Sequence, residues 1–327
     1  MFKVREKEVL TNENWDVLEK DFQGRLKKNE PLSQHSSLRI GGPARFWVEV
    51  KSLIELQRVI ELANKDGLPI EVVGLGSNVL FSDVGFDGLM IRLTGELAEW
   101  SERDEGFVDI GAGAINAHLV RHLLKNGLVG AEFLVLIPGT FGGAVALNAG
   151  TKNDDLSSIL RSVQIITLNE PRKVISMSAA EINLTYRHAD LPANALVLNG
   201  RIQLERGDST LAALNVKRDK ENRNKTQPYK LKSVGSTFAN PPGDYAGRLI
   251  EAVGLKGHKI GDACISEQHA NFFINEGNAS STDFLSLMAL AMVKVKSSFG
   301  IDLRPEVRFL GFQGWDELDA LKEFHRV

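Results

Sequence analysis

The sequence predicts an α+β fold, and three observations lead to this class. The chain has 327 residues, of which 43% are hydrophobic and 25% are charged, a composition typical of globular proteins with a sizeable core. Short apolar runs predict strands, and apolar residues at helical spacing predict helices between them. Glycines stand at the ends of these helices and in two dense clusters. At about 150 residues per domain, the length favours two domains.

Charge and cysteine content exclude several classes of protein. The formal net charge is −3, whereas a dedicated nucleic-acid-binding domain is usually strongly basic. The single cysteine, Cys264, cannot form an intrachain disulfide, which indicates a reducing compartment. The N-terminus lacks the apolar stretch of a signal peptide, and the apolar residues 127–149 include five glycines, Pro138 and Glu132. We therefore expect a cytoplasmic protein with neither a membrane nor a nucleic-acid partner.

The N-terminal part predicts a polar helical lead-in, up to about residue 30, and then a β-α-β-β arrangement. Residues 46–50 alternate as a strand does, and apolar residues at helical spacing follow up to Ala63, with Gly67 at the helix C-terminal cap. Two further strands are predicted at residues 70–74 and 89–93, with a glycine-bearing loop between them. This order predicts a loop at the end of a strand, where ligands commonly bind.

The middle of the chain predicts a second block of strands and one helix. Strands are expected at residues 107–111, 162–168 and 196–204, and a helix at residues 115–125 before Gly127.

The C-terminal part predicts a different arrangement. A lysine-rich helix or linker comes first, and an apolar helical stripe runs from Phe284 to Val295. Ser280 and Asp283 have the spacing of a capping box, and residues 306–310 predict a last strand.

Two glycine-rich stretches are candidate ligand loops. Residues 74–78 (GLGSN) follow an apolar strand, but Val79 replaces the third glycine of the dinucleotide fingerprint and no phosphate-loop Gly-Lys-Ser/Thr follows. Residues 137–144 (IPGTFGGA) are equally rich in small side chains. Each stretch alone is compatible with a tight turn or with close packing. Both together, in consecutive blocks, favour one large ligand that contacts both loops.

Other residues give weaker indications. Residues 215–232 contain seven basic and two acidic side chains, which is compatible with a solvated helix face or with attraction of a polyanionic small molecule such as a nucleoside diphosphate. His118 and His122 have a metal-compatible spacing, but no glutamate of the zinc protease motif lies between them, and we expect no metal site. Cys264 is expected to be a small buried residue.

Longer motifs resemble the UDP-N-acetylenolpyruvoylglucosamine reductases, flavoenzymes that make UDP-N-acetylmuramate for peptidoglycan. The resemblance covers residues 31–311 and keeps the family's motif order. The motifs are residues 35–44 (HSSLRIGGPA), 74–88 (GLGSNVLFSDVGFDG), 137–150 (IPGTFGGAVALNAG), 186–187 (YR), 227–228 (QP), 235–241 (GSTFANP), 246–257 (AGRLIEAVGLKG), 266–271 (SEQHAN) and 305–311 (PEVRFLG).

The resemblance implies a two-subdomain FAD-binding unit of the PCMH type, followed by a smaller α+β substrate-binding domain. The implied parts are residues 1–30 as an N-terminal extension, 31–207 as the FAD-binding domain with subdomains at about 31–95 and 96–207, 208–311 as the substrate-binding domain, and 312–327 as a C-terminal tail. About 48 residues separate Arg187 from Gly235, a short gap that is similar to the family's second type, without an extra lid segment.

The resemblance also implies the chemistry. NADPH would give a hydride to N5 of a non-covalently bound FAD, and the hydride would then pass to the enolpyruvyl group of UDP-N-acetylglucosamine enolpyruvate. The family's catalytic arginine falls on Arg187, its proton-donating serine on Ser236 and its glutamate on Glu306, which would orient the site or, if protonated, donate a hydrogen bond. We expect a monomeric enzyme without a metal.

Two sets of binding residues follow from the same resemblance. The residues expected at FAD are Arg39, Gly41, Gly42, Gly74, Gly76, Ser77, Asn78, Asp83, Ile137, Pro138, Gly139, Thr140, Gly143, Ala144, Asn148 and Gly150. The residues expected at the substrate are Tyr186, Arg223, Lys225, Gln227 and Asn240.

The chain departs from the family pattern at three places, and two rival functions stay open. Leu136 replaces a small residue, His188-Ala189 replaces a pair that ends in serine, and Ala239 replaces a lysine. The rivals are another flavin oxidoreductase on the same fold, such as a sugar or alcohol oxidase, and a non-catalytic nucleotide-sugar sensor. A sensor would be expected to lose one of Arg187, Ser236 and Glu306, and the sequence has all three.

Overall fold

The computed structural model describes Trp15, residues 22–151 and residues 154–312. The predicted lead-in before residue 22, apart from Trp15, and the tail from residue 313 lie outside the described residues.

The first part of the chain forms a four-stranded sheet with a helix on it. The strands follow the order β1-β2-β5-β3, in which β2 and β3 are parallel to β5 and β1 is antiparallel to β2. The elements are β1 (Arg25–Pro31), β2 (Pro43–Val50), α1 (Leu53–Lys65), β3 (Ile70–Val72), β4 (Val79–Phe81) and β5 (Phe86–Leu93). The Ser52 side chain caps α1 by accepting from the Glu55 N–H, and Gly67 with φ +63° follows its end, as predicted.

The predicted helical lead-in is wrong for Arg25–Pro31. This segment is the edge strand β1, paired antiparallel with β2 from Arg25 opposite Glu49 to Pro31 opposite Pro43. Its pattern of polar residues is typical of an edge strand as well as of a surface helix, and a pairing with residues further along the chain decides between them.

The second part forms a five-stranded antiparallel sheet in the order β10-β9-β11-β7-β6. Its elements are β6 (Trp100–Glu102), β7 (Phe107–Gly111), α2 (Asn116–Lys125), β8 (Leu128–Val129), α3 (Phe141–Ala146), β9 (Leu160–Thr167), β10 (Glu170–Ser178), β11 (Ala195–Gln203) and β12 (Glu205–Arg206). The predicted strands at residues 107–111, 162–168 and 196–204 and the helix at residues 115–125 are confirmed within two residues. The large apolar core that this sheet helps to form is shared with the first sheet and α1.

The third part forms a four-stranded sheet in the order β13-β16-β15-β14, with a long helix packed against it. Its elements are α4 (Ser209–Thr226), β13 (Lys232–Ser236), α5 (Ala246–Ala252), β14 (Lys259–Ile260), β15 (Ala263–Ile265), β16 (Phe272–Asn275), α6 (Ser281–Phe299) and β17 (Arg308–Leu310). The lysine-rich segment is the helix α4, and the predicted capping box of Ser280 and Asp283 begins α6, which ends at Gly300 with φ +71°.

The third part is joined to the first by its core and by its last strand. Leu38, Ile40 and Leu80 lie in the apolar cluster of the third part. After α6 the chain returns, and β17 pairs in parallel with β4. This return brings the predicted glutamate, two residues before β17, next to the loop that precedes β4. The predicted domain boundaries stay predictions.

Residues 15, 22–151 and 154–312 contain neither a membrane-spanning helix nor a cluster of metal-binding side chains. None of their helices has both the length and the apolar character needed to span a bilayer. No group of three or more His, Cys, Asp and Glu side chains there is placed to hold a metal ion.

Candidate active site

The two glycine-rich loops, which belong to different sheets, meet each other. The Ser77 hydroxyl donates a hydrogen bond to the Pro138 carbonyl oxygen at 2.5 Å. Gly74 lies so close to the second loop that a Cβ there would be 2.6 Å from Thr140 Oγ1. Asn116, the first residue of α2, fixes the second loop, because its N–H donates to the Gly139 carbonyl at 3.1 Å and its amide Nδ2 donates to the Ile137 carbonyl at 3.2 Å. The loops therefore form one surface.

Gly143 is not required by packing within the protein, since a Cβ there would have no neighbour closer than 3.8 Å. A Cβ at Gly139 would have none closer than 3.6 Å, but its φ of +153° by itself favours glycine. In contrast, a Cβ at Gly76 would be 1.9 Å from the His35 carbonyl oxygen, and one at Gly150 would be 2.3 Å from Asp155 Cβ. Gly139 and Gly143 thus leave space beside the backbone that a ligand can approach closely.

Four other residues predicted at the cofactor are used to hold the protein together. The Gly42 N–H donates to the Ser82 carbonyl, and Arg39 Nη1 donates to the Gln34 carbonyl at 3.1 Å. Gly41 has φ +137°, and its carbonyl accepts from the Ser33 N–H. Asp83 connects the first and third parts, since its Oδ2 accepts from the N–H and hydroxyl of Ser281, at the start of α6.

Arg187 lies in a tight turn that the end of the second loop holds in place. Thr185 and His188 exchange two backbone hydrogen bonds, which close the turn, and Arg187 has φ +57°, a left-handed conformation uncommon for arginine. Asn148 Nδ2 donates to the Thr185 carbonyl at 2.9 Å, and Arg187 Nη2 donates to the Gly150 carbonyl at 3.1 Å. A strained backbone at a candidate catalytic residue is typical of sites where position matters more than local stability.

Glu306 connects three distant segments of the chain. Its carboxylate oxygen Oε1 accepts from Arg187 Nε at 2.9 Å. Its backbone N–H donates to the Thr237 carbonyl at 2.9 Å, and its carbonyl accepts from Asn78 Nδ2 at 3.0 Å. Burial raises the pKa of the Glu306 carboxyl above its ordinary value, and the Arg187 guanidinium opposes this shift. The first glycine loop, the arginine turn and the segment after Ser236 therefore converge on Glu306.

Ser236 ends β13, directly before the residue that binds the Glu306 backbone. Gly235 with φ +78° allows the strand to bend there, and the Ser236 Cα is paired with that of Phe272. The next peptide is fixed because the Thr237 N–H donates to the Asn271 carbonyl at 2.8 Å. The half-buried Ser236 side chain makes no hydrogen bond to the described part of the chain, so its hydroxyl is available to a ligand.

The residues predicted at the substrate divide into a buried group and an exposed group. Arg223 Nη1 donates to the Leu136 carbonyl at 2.5 Å, and its Nε donates to Gln227 Oε1 at 3.1 Å. Burial lowers the pKa of Arg223, and the charge of Arg187 lowers it further.

In the exposed group, Lys225 has no hydrogen-bond partner among the described residues. Asn240 accepts from the Ala246 N–H at the start of α5, and Tyr186 is 52% exposed. The structure thus brings Arg223 and Gln227 to the second loop, while Lys225, Asn240 and Tyr186 lie at the surface.

Several residues that support this site were missed from sequence. Thr237 Oγ1, Tyr229 Oη and Asn116 Oδ1 are buried atoms without a hydrogen-bond partner in the residues that the structure describes. No spacing rule selects a threonine, a tyrosine or an asparagine. Asn271, which holds the segment after Ser236, does lie within a quoted motif, and that motif was the one available signal.

Two family models match the chain over the parts that carry these residues. The model described as "UDP-N-acetylenolpyruvoylglucosamine reductase, C-terminal domain" matches residues 227–310, and the model described as "FAD binding domain" matches residues 44–170.

Curated relatives match over nearly the whole chain. The UDP-N-acetylenolpyruvoylglucosamine reductase of Anaeromyxobacter sp. (strain Fw109-5) is 38% identical over 305 residues, which are 93% of this chain and 95% of the relative. The same-named protein of Myxococcus xanthus (strain DK1622) is 39% identical over 289 residues, 88% of this chain and 92% of the relative. The chain belongs to the UDP-N-acetylenolpyruvoylglucosamine reductase family.

A solved structure agrees in fold. The crystal structure of the UDP-N-acetylenolpyruvylglucosamine reductase from Thermus caldophilus has a TM-score of 0.76 and 33% sequence identity, and the match covers 88% of this chain and 99% of that one. The predicted α+β fold and the resemblance to this family are therefore confirmed, and the chain is an FAD-dependent oxidoreductase.

The described residues fit FAD. No atom comes closer than 3.6 Å to the position of a Cβ at Gly139 or Gly143, so a flat ring or a phosphate can approach the backbone there at van der Waals distance. Next to it, Asn116 Oδ1 is a buried acceptor that the described protein leaves unsatisfied. Asn78 of the first glycine loop donates to the Glu306 carbonyl, so a cofactor held by both loops would be held in part by the segment that contacts Glu306.

Proposed function

We propose that the enzyme reduces the enolpyruvyl group of UDP-N-acetylglucosamine enolpyruvate with NADPH, giving UDP-N-acetylmuramate. The observation that carries this proposal is the arrangement around Glu306, which connects Arg187, the Ser236 segment and the first glycine loop through three hydrogen bonds. A reduction that adds hydride to one carbon and a proton to its neighbour needs such a cation and such a donor beside a flavin.

In this proposal Arg187 stabilises the negative charge that develops on the substrate. Hydride addition to the terminal carbon of the double bond leaves charge on the adjacent carbon and its carboxylate. The guanidinium is permanently charged, and Glu306 and Gly150 fix two of its nitrogens. A cation fixed before the reaction stabilises the transition state without a cost of reorganisation.

Glu306 is proposed as the residue that orients Arg187. It is bonded to Arg187 through Oε1, and the other carboxylate oxygen has no partner in the described residues. A fully ionised carboxylate would repel the developing charge, so the raised pKa of Glu306 favours the reaction.

Ser236 is proposed as the proton donor to the adjacent carbon. A serine hydroxyl is a weak acid, but the carbanion-like carbon is a strong base, and a neutral donor brings no net charge into the site. The Thr237 carbonyl binds Glu306, so the hydroxyl and the Arg187–Glu306 pair are held by adjacent parts of the backbone.

When bound, FAD supplies hydride transfer from NADPH to the enolpyruvyl double bond. We propose that the loops at residues 74–78 and 137–150 hold it without a covalent bond. Sugar and alcohol oxidases often tether their flavin through a histidine, but His35 lies in no recognisable tethering context. Its ring is stacked on that of Trp47 with centroids 3.7 Å apart, and its Nε2 is 2.8 Å from Glu30 Oε1, which disfavours the rival function of an oxidase that uses His35 in this way.

The proposed site is completed by residues of one chain, so it requires no second copy and is compatible with a monomer. The reductant NADPH is a cytoplasmic metabolite, and we propose that the reaction takes place there.

Product analysis with the purified yellow holoenzyme tests the proposed function. We expect NADPH and the enolpyruvyl substrate to give, in mass spectra, a product two mass units heavier than the substrate. In D₂O the product should gain one deuteron at the carbon that Ser236 protonates, and a second at the terminal carbon to the extent that the hydrogen held by the flavin exchanges with solvent before its transfer. Consumption of NADPH without conversion of the substrate would contradict the proposal.

A further inference from the structure

The hydroxyl of Tyr229 is buried without a hydrogen-bond partner. The residue as a whole is half-buried, but its Oη is enclosed and makes no hydrogen bond to the residues that the structure describes. Native proteins seldom leave such a group unpaired, so its position calls for an explanation. Neither the motifs nor the composition of the sequence singled out Tyr229.

The surroundings of Tyr229 place it between two parts of the proposed site. The guanidinium carbon of Arg223 lies 4.8 Å from the centre of the Tyr229 ring, a cation–π contact. The ring meets that of Phe272 edge-on, with centroids 6.4 Å apart. Phe272 is the residue whose Cα is paired with that of Ser236. Tyr229 therefore packs between Arg223 and the strand beside the proposed proton donor.

One nitrogen of the Arg223 guanidinium has no hydrogen-bond acceptor in the described chain. Its Nη1 and Nε are bonded to Leu136 and Gln227. Its Nη2 makes no hydrogen bond within residues 22–151 and 154–312. Arg223 Nη2 and Tyr229 Oη are thus two donors, on side chains in cation–π contact, for which the described chain supplies no acceptor.

The charges nearby favour an anionic acceptor. Arg187 is near enough to lower the pKa of Arg223, so two cations share this part of the protein. The carboxylate bonded to Arg187 is that of Glu306, whose burial favours its neutral form. Burial also raises the pKa of Tyr229, so the hydroxyl keeps its proton and acts as a donor.

We propose that Tyr229 is a substrate-binding residue whose hydroxyl, together with Nη2 of Arg223, donates hydrogen bonds to an anionic oxygen of the nucleotide-sugar ligand. The inference rests on the proposed function and extends it. Two groups of that ligand have the required chemistry, the diphosphate and the enolpyruvyl carboxylate, and the experiment distinguishes them.

The test compares Tyr229→Phe with Tyr245→Phe in the FAD-loaded enzyme. Tyr245 is 59% exposed and its hydroxyl has no partner in the described chain, so the control removes the same atom from an exposed tyrosine. Calorimetry gives the dissociation constants of UDP-N-acetylglucosamine enolpyruvate, of UDP and of uridine. Loss of a hydrogen bond to a charged group should weaken binding of the full substrate by about ten- to a hundredfold in Tyr229→Phe.

The three ligands identify the group that Tyr229 binds. Equal weakening for the substrate and UDP, with uridine unaffected, supports a bond to the diphosphate, whereas weakening for the substrate alone supports a bond to the carboxylate. Unchanged affinity for both, or the same loss in Tyr245→Phe, overturns the inference.

Measurements of stability and turnover distinguish a failure of the role of Tyr229 from a failure of the proposed function. Tyr229→Phe fills the same space, so its FAD-free form should melt at the wild-type temperature or above it, because an unpaired buried hydroxyl is removed. Wild-type turnover with unaltered Tyr229→Phe affinities defeats only the role of Tyr229. A wild-type enzyme that neither binds nor converts the substrate defeats this inference and the proposed function together.

Discussion

Arg187 combines a left-handed backbone with a side chain fixed at both ends of its guanidinium. Its Nε is bonded to Glu306 and its Nη2 to the Gly150 carbonyl. This geometry uses the planar fork of arginine, which the single ammonium of lysine does not reproduce. The identity of the residue, and not only its charge, is therefore expected to matter.

Arg187→Lys tests the need for the fork. We expect turnover to fall by about a hundredfold or more, the effect of losing one positioned electrostatic donor, while the FAD content stays at the wild-type level. Steady-state kinetics and the flavin spectrum measure both. Arg201→Lys is the matched control, since Arg201 binds Asp109 through two nitrogens at the surface of the second sheet. Similar turnover in both variants would show that charge alone is sufficient at Arg187.

The raised pKa of Glu306 predicts a pH-dependent difference in stability. A folded-state pKa above the ordinary value of 4.5 means that the folded protein holds the proton more tightly than the unfolded chain. The resulting stability is complete below the unfolded pKa and is lost as the pH rises through the folded pKa. Glutamine does not titrate and so avoids this loss.

Glu306→Gln should therefore raise the melting temperature of the FAD-free protein more at pH 8 than at pH 4.5. Melting curves across this range, with the exposed Glu105→Gln as the control, measure the difference. If the difference in melting temperature between Glu306→Gln and wild type is the same at both pH values, the raised pKa of Glu306 is refuted.

At the residue scale, the sequence predicted which residues belong to the site but not the contacts between them. The resemblance selected Arg187, Ser236 and Glu306, and their catalytic roles stay proposals. Composition and spacing alone could not select them, because the contacts that join them connect residues 78, 187, 237 and 306. Nor could the sequence reveal the left-handed turn at Arg187, which is fixed by Asn148 from another loop.

Among the elements, α3 contains a glycine, Gly143, whose substitution is expected to affect ligand binding without affecting folding. A Cβ at Gly143 meets only Thr140 Oγ1, at an ordinary distance of 3.8 Å. Alanine is a better helix former than glycine by up to about 1 kcal/mol. A glycine at this position therefore does not improve the packing of the folded protein. It does leave room for a cofactor that approaches the backbone closely.

Gly143→Ala should leave the FAD-free protein as stable as wild type or more so, and should weaken FAD binding. Melting temperature and the dissociation constant for FAD are the two measurements. Gly127→Ala provides the comparison. Gly127 follows the end of a helix with φ +72°, and nothing lies within 4 Å of a Cβ there. The variant should therefore be less stable than wild type and should bind FAD with unchanged affinity. Unchanged FAD affinity in Gly143→Ala would remove α3 from the proposed cofactor site.

The capping box of α6 supports the helix that carries much of the core of the third part. The Ser280 hydroxyl accepts from the Asp283 N–H, while the Asp283 carboxylate accepts from the Ser280 N–H. Ser280→Ala should lower the free energy of unfolding by about 1 kcal/mol. The exposed Ser298→Ala in the same helix should change it by less than about 0.5 kcal/mol, in the stabilising direction, because alanine is the better helix former. Denaturant titration measures both values, and an equal loss in the two variants would contradict the cap.

Elements with strong local patterns were predicted well. The α6 stripe has apolar residues at helical spacing between a capping box and a glycine, and β7 alternates between polar and apolar residues. In contrast, β1 and β10 were missed because most of their side chains are exposed and their pairing with β2 and β9 decides their conformation. The alternation of apolar and polar residues that predicts a strand arises from burial of one face, so an exposed edge strand shows little of it.

On the scale of the whole molecule, the first and third parts are joined next to the first glycine loop, where the Ser37 N–H donates to the Gly76 carbonyl. Ser37 Oγ donates to the Ser233 carbonyl at 2.6 Å, and Asn275 Nδ2 donates to the Leu38 carbonyl at 2.9 Å. Together with the β17–β4 pair, these bonds fix the third part against the first glycine loop. That the substrate-binding domain spans residues 208–311 remains our proposal, and these contacts explain why such a domain would not act alone.

The central claim is that Ser236 acts with Arg187 and Glu306 on the substrate, and not in the reduction of FAD by NADPH. Stopped-flow absorbance follows each half of the reaction separately in wild type, in Ser236→Ala and in the control Ser233→Ala on the same strand. The claim predicts that Ser236→Ala leaves flavin reduction by NADPH nearly unchanged and slows reoxidation by the enolpyruvyl substrate about a hundred- to ten-thousandfold. Equal slowing of both halves, or wild-type reoxidation in Ser236→Ala, would contradict it.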